Sequence, residues 1–265
     1  PAALDPDLLK AHPDLIVASV DSTADWLQQF HVDGDVLHTE HLYLVDPLGN
    51  LMMYYPASIE GPMILKDIQR LVSETQNRFG RLDLLVNNAG ITHRSPAHQT
   101  DPAVFRKVMA VDWQGPVELT LAALPLLRKG RGSIVCIGSM AGWMPVPGRA
   151  AYCAAKSALT QFFEVLRLEL EPDGIHVLMA YPSFLDTPIE HHALGKDGEI
   201  AGHARSTVGS MKSAEWMAEL IDTGLAQRKR WLMPEPVSRF GSLLWRFAPS
   251  LYLRQVRKRF AGDLR

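Results

Sequence analysis

The sequence predicts an α/β protein whose parallel sheet is covered by helices on both faces. From about residue 82 to residue 180, short segments that are apolar throughout alternate with single helix-like segments. Strands of this kind, joined by single helices, are typical of a parallel sheet buried between two helical layers. A chain of 265 residues with 47% hydrophobic content can bury such a core. No run of 18 apolar residues occurs, so we expect no membrane-spanning segment.

The front of the chain predicts a strand, a short helix and a hairpin. The run Leu15–Asp21 is apolar and β-branched, which favours a buried strand, and Ser22 or Thr23 then caps a short helix that ends near Phe30. The sequence Pro47-Leu48-Gly49-Asn50 is a turn signature. It joins the two predicted strands of the hairpin, Leu42–Asp46 and Leu51–Tyr55.

Helices and strands then alternate. Met63–Phe79 repeats apolar residues at steps of three and four, which predicts a helix that Gly80 ends. Asp101 caps the next helix, with Pro102 at its first position, and this helix runs towards Leu127. The remaining predicted elements are the strands Leu82–Val86, Ser133–Ile137 and Ile175–Ala180 and the helix Ala151–Glu171. We expect functional groups just beyond the carboxyl ends of these strands.

Charge is unevenly distributed along the chain. The formal net charge is −2, but residues 1–62 carry a net charge of −9 and residues 228–265 a net charge of +8. This abrupt change near residue 62 suggests segments of different origin. The basic end also carries aromatic and aliphatic residues, so we expect no nucleic-acid partner. Cys136 and Cys153 show no metal or redox spacing, which favours a reducing, cytoplasmic compartment.

Three polar residues have the order and spacing of a carbonyl-reducing site. Tyr152 and Lys156 are four residues apart at the start of a helix, so they share one face. A free phenol has a pKa of about 10, and a nearby ammonium is expected to pull that pKa towards the working range. Ser139 follows a predicted strand, where a hydroxyl can hold a carbonyl oxygen while the phenol protonates it. A Tyr-x-x-x-Lys pair alone occurs often by chance, so the surrounding motifs decide the interpretation.

Four motifs occur in order, each on the expected element. They are Asn87-Asn88-Ala89-Gly90, Ser139-Met140-Ala141-Gly142, Tyr152-Cys153-Ala154-Ala155-Lys156 and Pro182-Ser183-Phe184-Leu185-Asp186-Thr187. Over about residues 67–265, the chain therefore resembles the short-chain dehydrogenase/reductase family. The resemblance implies a Rossmann-type sheet, NAD or NADP as cofactor, and reversible hydride transfer between the nicotinamide and a hydrophobic alcohol or carbonyl.

The resemblance also implies roles for single residues. Tyr152 would be the general acid and base, and Ser139 would orient the substrate. Lys156 would hold the nicotinamide ribose and tune the phenol. The stretch Asn87, Asn88, Ala89 and Gly90 would pass behind the adenosine side of the cofactor. The residues Pro182, Ser183 and Thr187 would line the nicotinamide end, with Thr187 at the carboxamide.

The chain departs from the family pattern at three places. Ser183 replaces the usual glycine after proline, a mild change where the backbone keeps a negative φ. Asp112 stands where the family has an asparagine that positions a water for the proton relay. A carboxylate there would favour the charged form of Lys156 and oppose a phenolate, which moves the expected activity optimum to higher pH. Residues 1–66 contain only three glycines, so no Gly-rich pyrophosphate turn can be drawn, and NAD cannot be distinguished from NADP.

Residues 1–66 resemble a different family. The sequence from His38 to Gly49 is similar to the later part of Sco-type copper chaperones and related thioredoxin-like cytochrome oxidase assembly proteins. The Cys-x-x-x-Cys of that family is absent, and a soft-metal site needs three or four ligands, so we expect no metal at His38. We interpret the chain as a fusion joined inside the helix Met63–Phe79. In this interpretation a thioredoxin-like strand-helix-hairpin segment replaces the first βαβ portion of the Rossmann-type sheet.

Three further segments have alternative interpretations. The run Phe184–Ser213, with its histidines, is expected to be a mobile substrate cover rather than a metal site. The aromatic and arginine-rich segment 243–260 favours packing against the body or a second subunit, and peripheral contact with an anionic membrane is the alternative. The helix Ala151–Glu171 is apolar on several faces, which suits the interface of a homo-dimer or tetramer.

Three functions remain open at the level of sequence. The first is an NAD(P)-dependent oxidoreductase with a Ser-Tyr-Lys mechanism. The second is a relict fusion protein that folds but does not bind dinucleotide normally. The third is a thioredoxin-like metal or assembly factor, which the missing thiols disfavour. Binding of the cofactor separates the first two.

Overall fold

A computed structural model describes residues 42–45, 51–55, 61–187, 189, 192–202 and 211–260. The chain divides into two compact units, Pro1–Ile64 and Leu65–Arg265, which are considered separately. In the part that the structure describes, no helix is both long and apolar enough to cross a membrane.

The described part of the first unit is a two-stranded antiparallel ladder. Strands β1 (Leu42–Val45) and β2 (Leu51–Tyr55) pair with Tyr43 opposite Tyr54. The two strands of the predicted hairpin are therefore present, with β1 one residue shorter than expected. The predicted strand Leu15–Asp21, the helix after it and His38 lie outside the described residues.

Helix α1 (Gly61–Phe79) begins two residues earlier than predicted and ends where expected. Gly80 has a φ of +71°, and its N–H donates to the carbonyl of Gln76 at 2.9 Å. A left-handed residue of this kind closes the last turn of a helix at low cost only when it is glycine. The helix therefore stops at Phe79 for a local reason that the sequence contains.

The second unit contains a parallel sheet with the order β3-β4-β5-β8. Its strands are β3 (Leu84–Asn87), β4 (Ser133–Ile137), β5 (His176–Ala180) and β8 (Trp231–Leu232), and two-residue strands β6 (Leu185–Asp186) and β7 (Lys212–Ser213) form a separate parallel pair. Every residue of β5 is buried, as expected for a strand covered on both faces. Strand β3 starts two residues later than predicted and includes Asn87, because Asn87 pairs with Cys136 of β4.

The helix predicted between the first two strands of this sheet is interrupted. Asp101 caps α2 (Pro102–Met109) by accepting from the Ala103 N–H at 2.7 Å, as the sequence predicts. A π-helical segment, Ala110–Gln114, then precedes α3 (Gly115–Gly130). A π turn adds a residue and rotates the side chains that follow, and such turns are frequent at functional sites. The predicted helix therefore continues past Leu127, and the π-helical segment within it was not predicted.

Helix α4 (Ala150–Leu170) forms the centre of the core. Its fully buried Leu159 and Phe163 pack in the same cluster as Ile134 of β4 and Val177 of β5. Burying one such side chain stabilises the fold by about 1.5–3 kcal/mol relative to exposure. Helices α5 (Ala214–Ala226), α6 (Pro236–Phe247) and α7 (Pro249–Arg259) complete the unit.

The predicted substrate cover is described only in part. Residues 188, 190–191 and 203–210 lie outside the described residues, and this includes His191 and His203. His192 is exposed, and Leu194 forms isolated bridges with His93 and Ile200. Among the residues that the structure describes, no three His, Cys, Asp or Glu side chains are grouped as metal ligands.

Candidate active site

The predicted site residues follow the carboxyl ends of three neighbouring strands. Because β3, β4 and β5 are parallel, the segments that begin at Asn87, Gly138 and Tyr181 leave the sheet at one edge. The Gly138 N–H donates to Ala180 at 2.8 Å, which joins the second and third segments beyond the strands. The sheet therefore brings together residues that are far apart in sequence.

Lys156 is the buried centre of the site. Its ammonium nitrogen lies 3.2 Å from Oδ2 of Asp112 and donates to the carbonyl of Ile137 at 3.3 Å. The Lys156 side chain is 4% exposed and that of Asp112 is fully buried. A buried ion pair is retained only with good geometry and further hydrogen bonds. Here Oδ1 of Asp112 accepts the Ile91 N–H at 2.7 Å, which occupies the second carboxylate oxygen.

The π-helical segment explains how Asp112 reaches Lys156. Asp112 is the buried residue of that segment, between α2 and α3. Its carboxylate pairs with Lys156 of α4 and accepts the N–H of Ile91 in the loop after β3. The sequence identified Asp112 as a departure from the family pattern, and the structure shows that this departure creates a buried charge pair.

Tyr152 lies next to Lys156 on the first turn of α4. The Lys156 nitrogen is 5.7 Å from the centre of the Tyr152 ring, and the phenol forms a hydrogen bond with the Ser139 side chain. Burial raises the pKa of Tyr152, the Lys156 ammonium lowers it, and the Asp112 carboxylate raises it again. The Ser139 hydroxyl and the charge of Arg149 lower it further. The net pKa of Tyr152 lies above its ordinary value.

This net direction corrects one expectation from the sequence. Lys156 acts on the phenol in the expected direction, but burial and Asp112 outweigh it, so the pKa does not fall towards neutrality. Burial alone would lower the pKa of Lys156, yet Asp112 and a Tyr152 phenolate raise it. Burial raises the pKa of Asp112, and Lys156 and the Ile91 N–H oppose that effect. Lys156 therefore stays protonated as the partner of both acidic groups.

Ser139 ends the segment after β4 and begins a short 3-10 helix, Met140–Gly142. Its Oγ accepts the Ala141 N–H at 3.2 Å, which fixes the side chain as a helix cap. The hydroxyl hydrogen remains available for an acceptor, because the cap uses only one of the two lone pairs of Oγ. Ser139 is therefore a hydrogen-bond donor held beside the phenol.

The Asn-Asn-Ala-Gly stretch divides into buried and exposed residues. Asn87 is buried and its Nδ2 donates to Thr120 at 2.9 Å, whereas its Oδ1 has no partner among the described residues. Asn88 and Ala89 are exposed. A Cβ at Gly90 would lie 3.2 Å from the Lys156 nitrogen, so a side chain there would crowd the charge pair. Gly90 thus belongs to the site by close packing.

The third segment lies at the same edge with less contact to the cluster. Pro182 is buried, and Ser183 and Thr187 are half-buried. Ser183 is not among the non-glycine residues with a positive φ, so serine replaces glycine there without strain. Within the described residues, no hydrogen bond joins the Ser183 or Thr187 side chain to Tyr152 or Lys156.

Two buried polar residues near the site were not identified from the sequence. Arg149, three residues before Tyr152, donates to Thr92 at 2.9 Å and lowers the pKa of Tyr152. His93 is fully buried, and neither ring nitrogen has a hydrogen-bond partner in the described residues. Burial and the charge of Arg149 lower the pKa of His93 to about 4. Neither residue lies in a spacing pattern, so only their burial in three dimensions identifies them.

An open depression of about 590 Å³ is present elsewhere on the surface, lined by His98, Gln99, Thr100, Asp101, Lys196 and Asp197. It shares no residue with the Ser139–Tyr152–Lys156 cluster. Asp101 there already serves as a helix cap. The Ser139–Tyr152–Lys156 cluster combines a hydroxyl, a phenol and a buried ammonium, so it is a better candidate active site than the depression.

The residues of the cluster suit the nicotinamide side of a dinucleotide. A protonated Lys156 next to a phenol offers a cation and a hydroxyl to a ribose, and the exposed Asn88 and Ala89 leave the adjoining edge open. The pyrophosphate side is different, because residues 1–66 contain no Gly-rich turn whose N–H groups would bind it. The residues of the site thus fit the nicotinamide half of the cofactor, and residues 1–66 offer no Gly-rich turn for the pyrophosphate.

Comparisons with known proteins agree with the class of α/β oxidoreductase that this sheet and site define. Residues 61–197 match the family model described as short chain dehydrogenase. The chain belongs to the short-chain dehydrogenase family, and its fold is the expected Rossmann-type sheet. Family membership supports NAD or NADP as the cofactor of the site.

Individual relatives match different shares of the chain. Dehydrogenase/reductase SDR family member 7B from Bos taurus is 34% identical over 189 residues, which is 71% of this chain and 58% of the relative. 11-beta-hydroxysteroid dehydrogenase A from Sesamum indicum is 40% identical over 135 residues, which is 51% of this chain and 38% of the relative. The chain thus spans less than two thirds of these curated relatives.

A solved structure shares the fold. A short-chain dehydrogenase from Streptomyces avermitilis is 27% identical, with a TM-score of 0.57 over 75% of this chain and 76% of that chain. Residues 4–73 match a second family model, described as transmembrane-like, thioredoxin-like, C-terminal domain. The thioredoxin-like resemblance of the front segment is thereby supported. The two matched ranges overlap over residues 61–73, inside α1.

Proposed function

We propose that this chain is an NAD(P)-dependent oxidoreductase that interconverts a hydrophobic alcohol and its carbonyl through Ser139, Tyr152 and Lys156. The observation that carries the proposal is the continuous set of contacts from Ser139 through Tyr152 and Lys156 to Asp112. It joins a hydrogen-bond donor, a phenol and a buried ammonium at one edge of the sheet. These groups can orient a carbonyl, protonate its oxygen and stabilise the phenolate that results.

In the reductive direction, the Ser139 hydroxyl donates a hydrogen bond to the carbonyl oxygen and holds it at the phenol. Tyr152 then gives its proton to that oxygen. Bound NADPH or NADH supplies the hydride that reduces the carbonyl carbon. The Tyr152 phenolate left behind is stabilised by the Lys156 ammonium, which Asp112 and the Ile137 carbonyl keep in place.

In the oxidative direction, the Tyr152 phenolate removes the proton of the alcohol. Because the pKa of Tyr152 is raised, the phenolate forms only in alkaline solution. Reduction needs the protonated phenol, which is present at neutral pH. We therefore propose that oxidation is favoured by alkaline pH and that reduction is active over a broader neutral range.

The surroundings of Tyr152 favour an apolar substrate. Tyr152 packs against a cluster that contains Val104, Ala155 and Leu194, with Ile91 at its margin. A polar substrate would lose its hydration there without replacement hydrogen bonds. The sesame relative is by name a hydroxysteroid dehydrogenase, which is consistent with a hydrophobic secondary alcohol as the substrate class.

We assign cofactor contacts on the same basis. Tyr152 and Lys156 would hold the nicotinamide ribose, and Asn87–Gly90 would line the adenosine side. Pro182, Ser183 and Thr187 would border the nicotinamide. NAD and NADP remain alternatives, because the residue that selects the ribose 2′ group belongs to the portion that the front segment replaces.

A specific observation favours a second candidate. Residues 1–66 contain Gly34, Gly49 and Gly61 as their only glycines, and these form no dinucleotide turn. Without such a turn, the pyrophosphate loses backbone N–H donors and the positive end of a helix. The second candidate is therefore a folded relict that has the catalytic residues and does not bind dinucleotide.

One titration distinguishes the two candidates. The purified chain is titrated with NADH and NADPH, following energy transfer from tryptophan to the reduced nicotinamide. Saturable binding in the micromolar range is expected for the enzyme, and absence of binding at millimolar cofactor would establish the relict instead.

Turnover then tests the catalytic roles. A panel of hydrophobic secondary alcohols and ketones is assayed with the wild type, Tyr152→Phe and the control Tyr252→Phe. Tyr252 is also buried, but its hydroxyl donates to the Pro145 carbonyl at 3.2 Å. Loss of about a thousandfold in kcat for Tyr152→Phe, with cofactor binding retained, is expected for a general acid. Equal loss in both variants would contradict the assignment.

We also propose a division into residues 1–66 and 67–265 that arose by fusion, and assembly as a homo-dimer or tetramer. The overlap of the two family matches inside α1 supports a junction in that helix. The exposed Val165 and Leu168 on α4 support a subunit contact there. Sedimentation velocity of the wild type and Leu168→Glu tests the assembly, because a charge in that face would dissociate it.

A further inference from the structure

The C-terminal helices present an apolar stripe on the side that faces away from the core. On α6, four large apolar residues occur at steps of three, three and four, so they share one helix face. They are Val237, Phe240, Leu243 and Phe247, and all are at least half exposed. Phe240 is 65% exposed and Phe247 is 76% exposed. On α7, Leu251 and Leu253 are also exposed.

The opposite face of α6 is already used by the core. Ser238 is buried, and Leu244 and Trp245 pack against the main cluster. A Cβ at Gly241 would lie 3.5 Å from the Met144 sulfur, so the backbone there is close to the core. Core packing therefore accounts for one face and leaves the apolar stripe unexplained.

Helix α7 is held just as firmly. Tyr252 is buried, donates to the Pro145 carbonyl and lies 5.5 Å from the Trp245 ring. Val256 packs against the same cluster. The two helices are thus fixed on the body of the unit and present their outer faces as one surface, called here the C-terminal surface.

This surface is strongly basic. Helices α6 and α7 contain six Lys and Arg residues and no acidic residue. Arg246, Arg254, Arg257 and Lys258 are exposed. Arg246 lies 5.9 Å from the centre of the Phe247 ring, so a cation and an exposed aromatic occur side by side. Long basic side chains keep their charge at the lipid headgroups while apolar neighbours insert more deeply.

We propose that the C-terminal surface binds the interface of an anionic lipid bilayer. Aromatic and aliphatic side chains on one face, with basic residues beside them, are typical of helices that lie in the plane of a membrane. With 12 and 11 residues, α6 and α7 are too short to cross the bilayer. Anionic headgroups match the charge of the surface. This inference does not depend on the proposed function, because it uses none of the site residues.

Charge also argues against a second copy of the chain as the occupant. In a twofold interface, the same patch meets itself. The basic residues would then face one another without acidic partners on the same surface, which is unfavourable. A bilayer supplies the opposite charge over a wide area and takes up the apolar stripe as well.

Vesicle flotation with the full chain tests the proposal. Vesicles of phosphatidylcholine alone are compared with vesicles that contain about 30% phosphatidylserine, at about 0.1 M and about 0.5 M NaCl. Binding is expected only with phosphatidylserine and is expected to weaken at the higher salt. Equal binding to both vesicle types, or to neither, would overturn the proposal.

Variants separate the apolar and basic contributions. Phe240→Ser with Phe247→Ser is expected to lower the partition coefficient by at least about tenfold. Arg254→Gln, Arg257→Gln and Lys258→Gln together are expected to lower it by about a hundredfold, since each cation near the surface contributes about fivefold. A matched control, Phe79→Ser with Leu121→Ser, changes exposed apolar residues on α1 and α3 and is expected to bind like the wild type.

Two further measurements check that the variants are folded and whether the C-terminal surface mediates self-association. Circular dichroism melting shows that each variant is folded, which is expected because the substituted side chains are exposed. Sedimentation velocity measures self-association in parallel. A dimer that the two phenylalanine substitutions abolish, with no binding to phosphatidylserine vesicles, would assign the surface to a subunit contact and overturn the membrane proposal.

Discussion

Replacing Asp112 with asparagine tests how the buried charge pair controls the phenol. The carboxylate accepts the Ile91 N–H at Oδ1 and contacts the Lys156 ammonium at Oδ2. An asparagine side chain has one acceptor oxygen and one NH2 group, which only donates. In either orientation, an N–H of Asn would face another donor. The variant therefore leaves either the Ile91 N–H or the Lys156 ammonium without its acceptor.

The structure gives the size of the stability loss. Breaking a buried ion pair by removing one partner costs about 3–5 kcal/mol. Lys156 keeps the Ile137 carbonyl at 3.3 Å, which offsets part of this cost. We expect Asp112→Asn to lower the free energy of unfolding by about 3 kcal/mol. The double variant Asp112→Asn with Lys156→Met is expected to lose less than the sum of the single variants, because the unpaired buried charge is gone.

The same variant is expected to shift the pH dependence of alcohol oxidation. The Asp112 carboxylate raises the pKa of Tyr152, so its removal lowers that pKa. Oxidation needs the phenolate, which is present only above the pKa of Tyr152. The rising limb of kcat against pH is therefore expected at lower pH in Asp112→Asn than in the wild type.

The assay measures kcat for alcohol oxidation from neutral to strongly alkaline pH, with urea denaturation of the same preparations. Glu118→Gln serves as the control, because this half-buried carboxylate lies outside the charge pair and accepts from Gln114 of the π-helical segment that precedes α3. A rising limb at the same pH in Asp112→Asn and the wild type would refute the reasoning. So would a limb displaced to higher pH, since it would mean that loss of Lys156 charge dominates.

Two other predictions concern stability. Burial and Arg149 hold the pKa of folded His93 at about 4, below its ordinary 6.5. The contribution of His93 to the free energy of unfolding is therefore complete above pH 6.5 and is lost as the pH falls towards 4. The loss is about 3 kcal/mol. His93→Leu is expected to remove this dependence in urea denaturation at a series of pH values, and parallel curves for both proteins would contradict it. Gly138→Ala would place a Cβ 2.8 Å from the Tyr181 ring and is expected to cost about 1–3 kcal/mol by overpacking. Gly115→Ala meets its nearest atom at 3.5 Å and is the neutral control, so equal destabilisation of both would count against this explanation.

Local signals predicted most of the fold. The C-terminal end of α1 and the start of α2 were predicted correctly because Gly80 and Asp101 act within one turn of their own positions. The strands around Ile134 and Leu178 were predicted because continuous apolar runs are required where both faces are buried. The π-helical segment was missed, because a departure of five residues from α-helical geometry has no motif of its own and its position depends on contacts with other elements.

The sequence likewise predicted some residues of the candidate site and not others. The motif order placed Ser139, Tyr152 and Lys156 on neighbouring elements, and their spacing alone put the last two on one helix face. Arg149 and His93 were not found, because burial and charge in the folded unit, rather than a pattern, make them relevant. The net direction of the Tyr152 pKa was also not predicted from the sequence, since it is the balance of burial and Asp112 against Lys156, Ser139 and Arg149.

By itself, the sequence determined the family, the order of the strands and helices from Leu82 to Ala180, and the identity of the phenol, hydroxyl and ammonium. The elements follow from periodicity and the family from its resemblance in four ordered motifs, and each of these signals depends on residues near one another in the chain. Only the tertiary structure decided that Asp112 pairs with Lys156 and that the phenol is harder to ionise than free tyrosine. It also decided that the C-terminal helices turn a basic, aromatic face outward. Each of these depends on distances between separate elements and on exclusion of water, which a linear pattern does not contain.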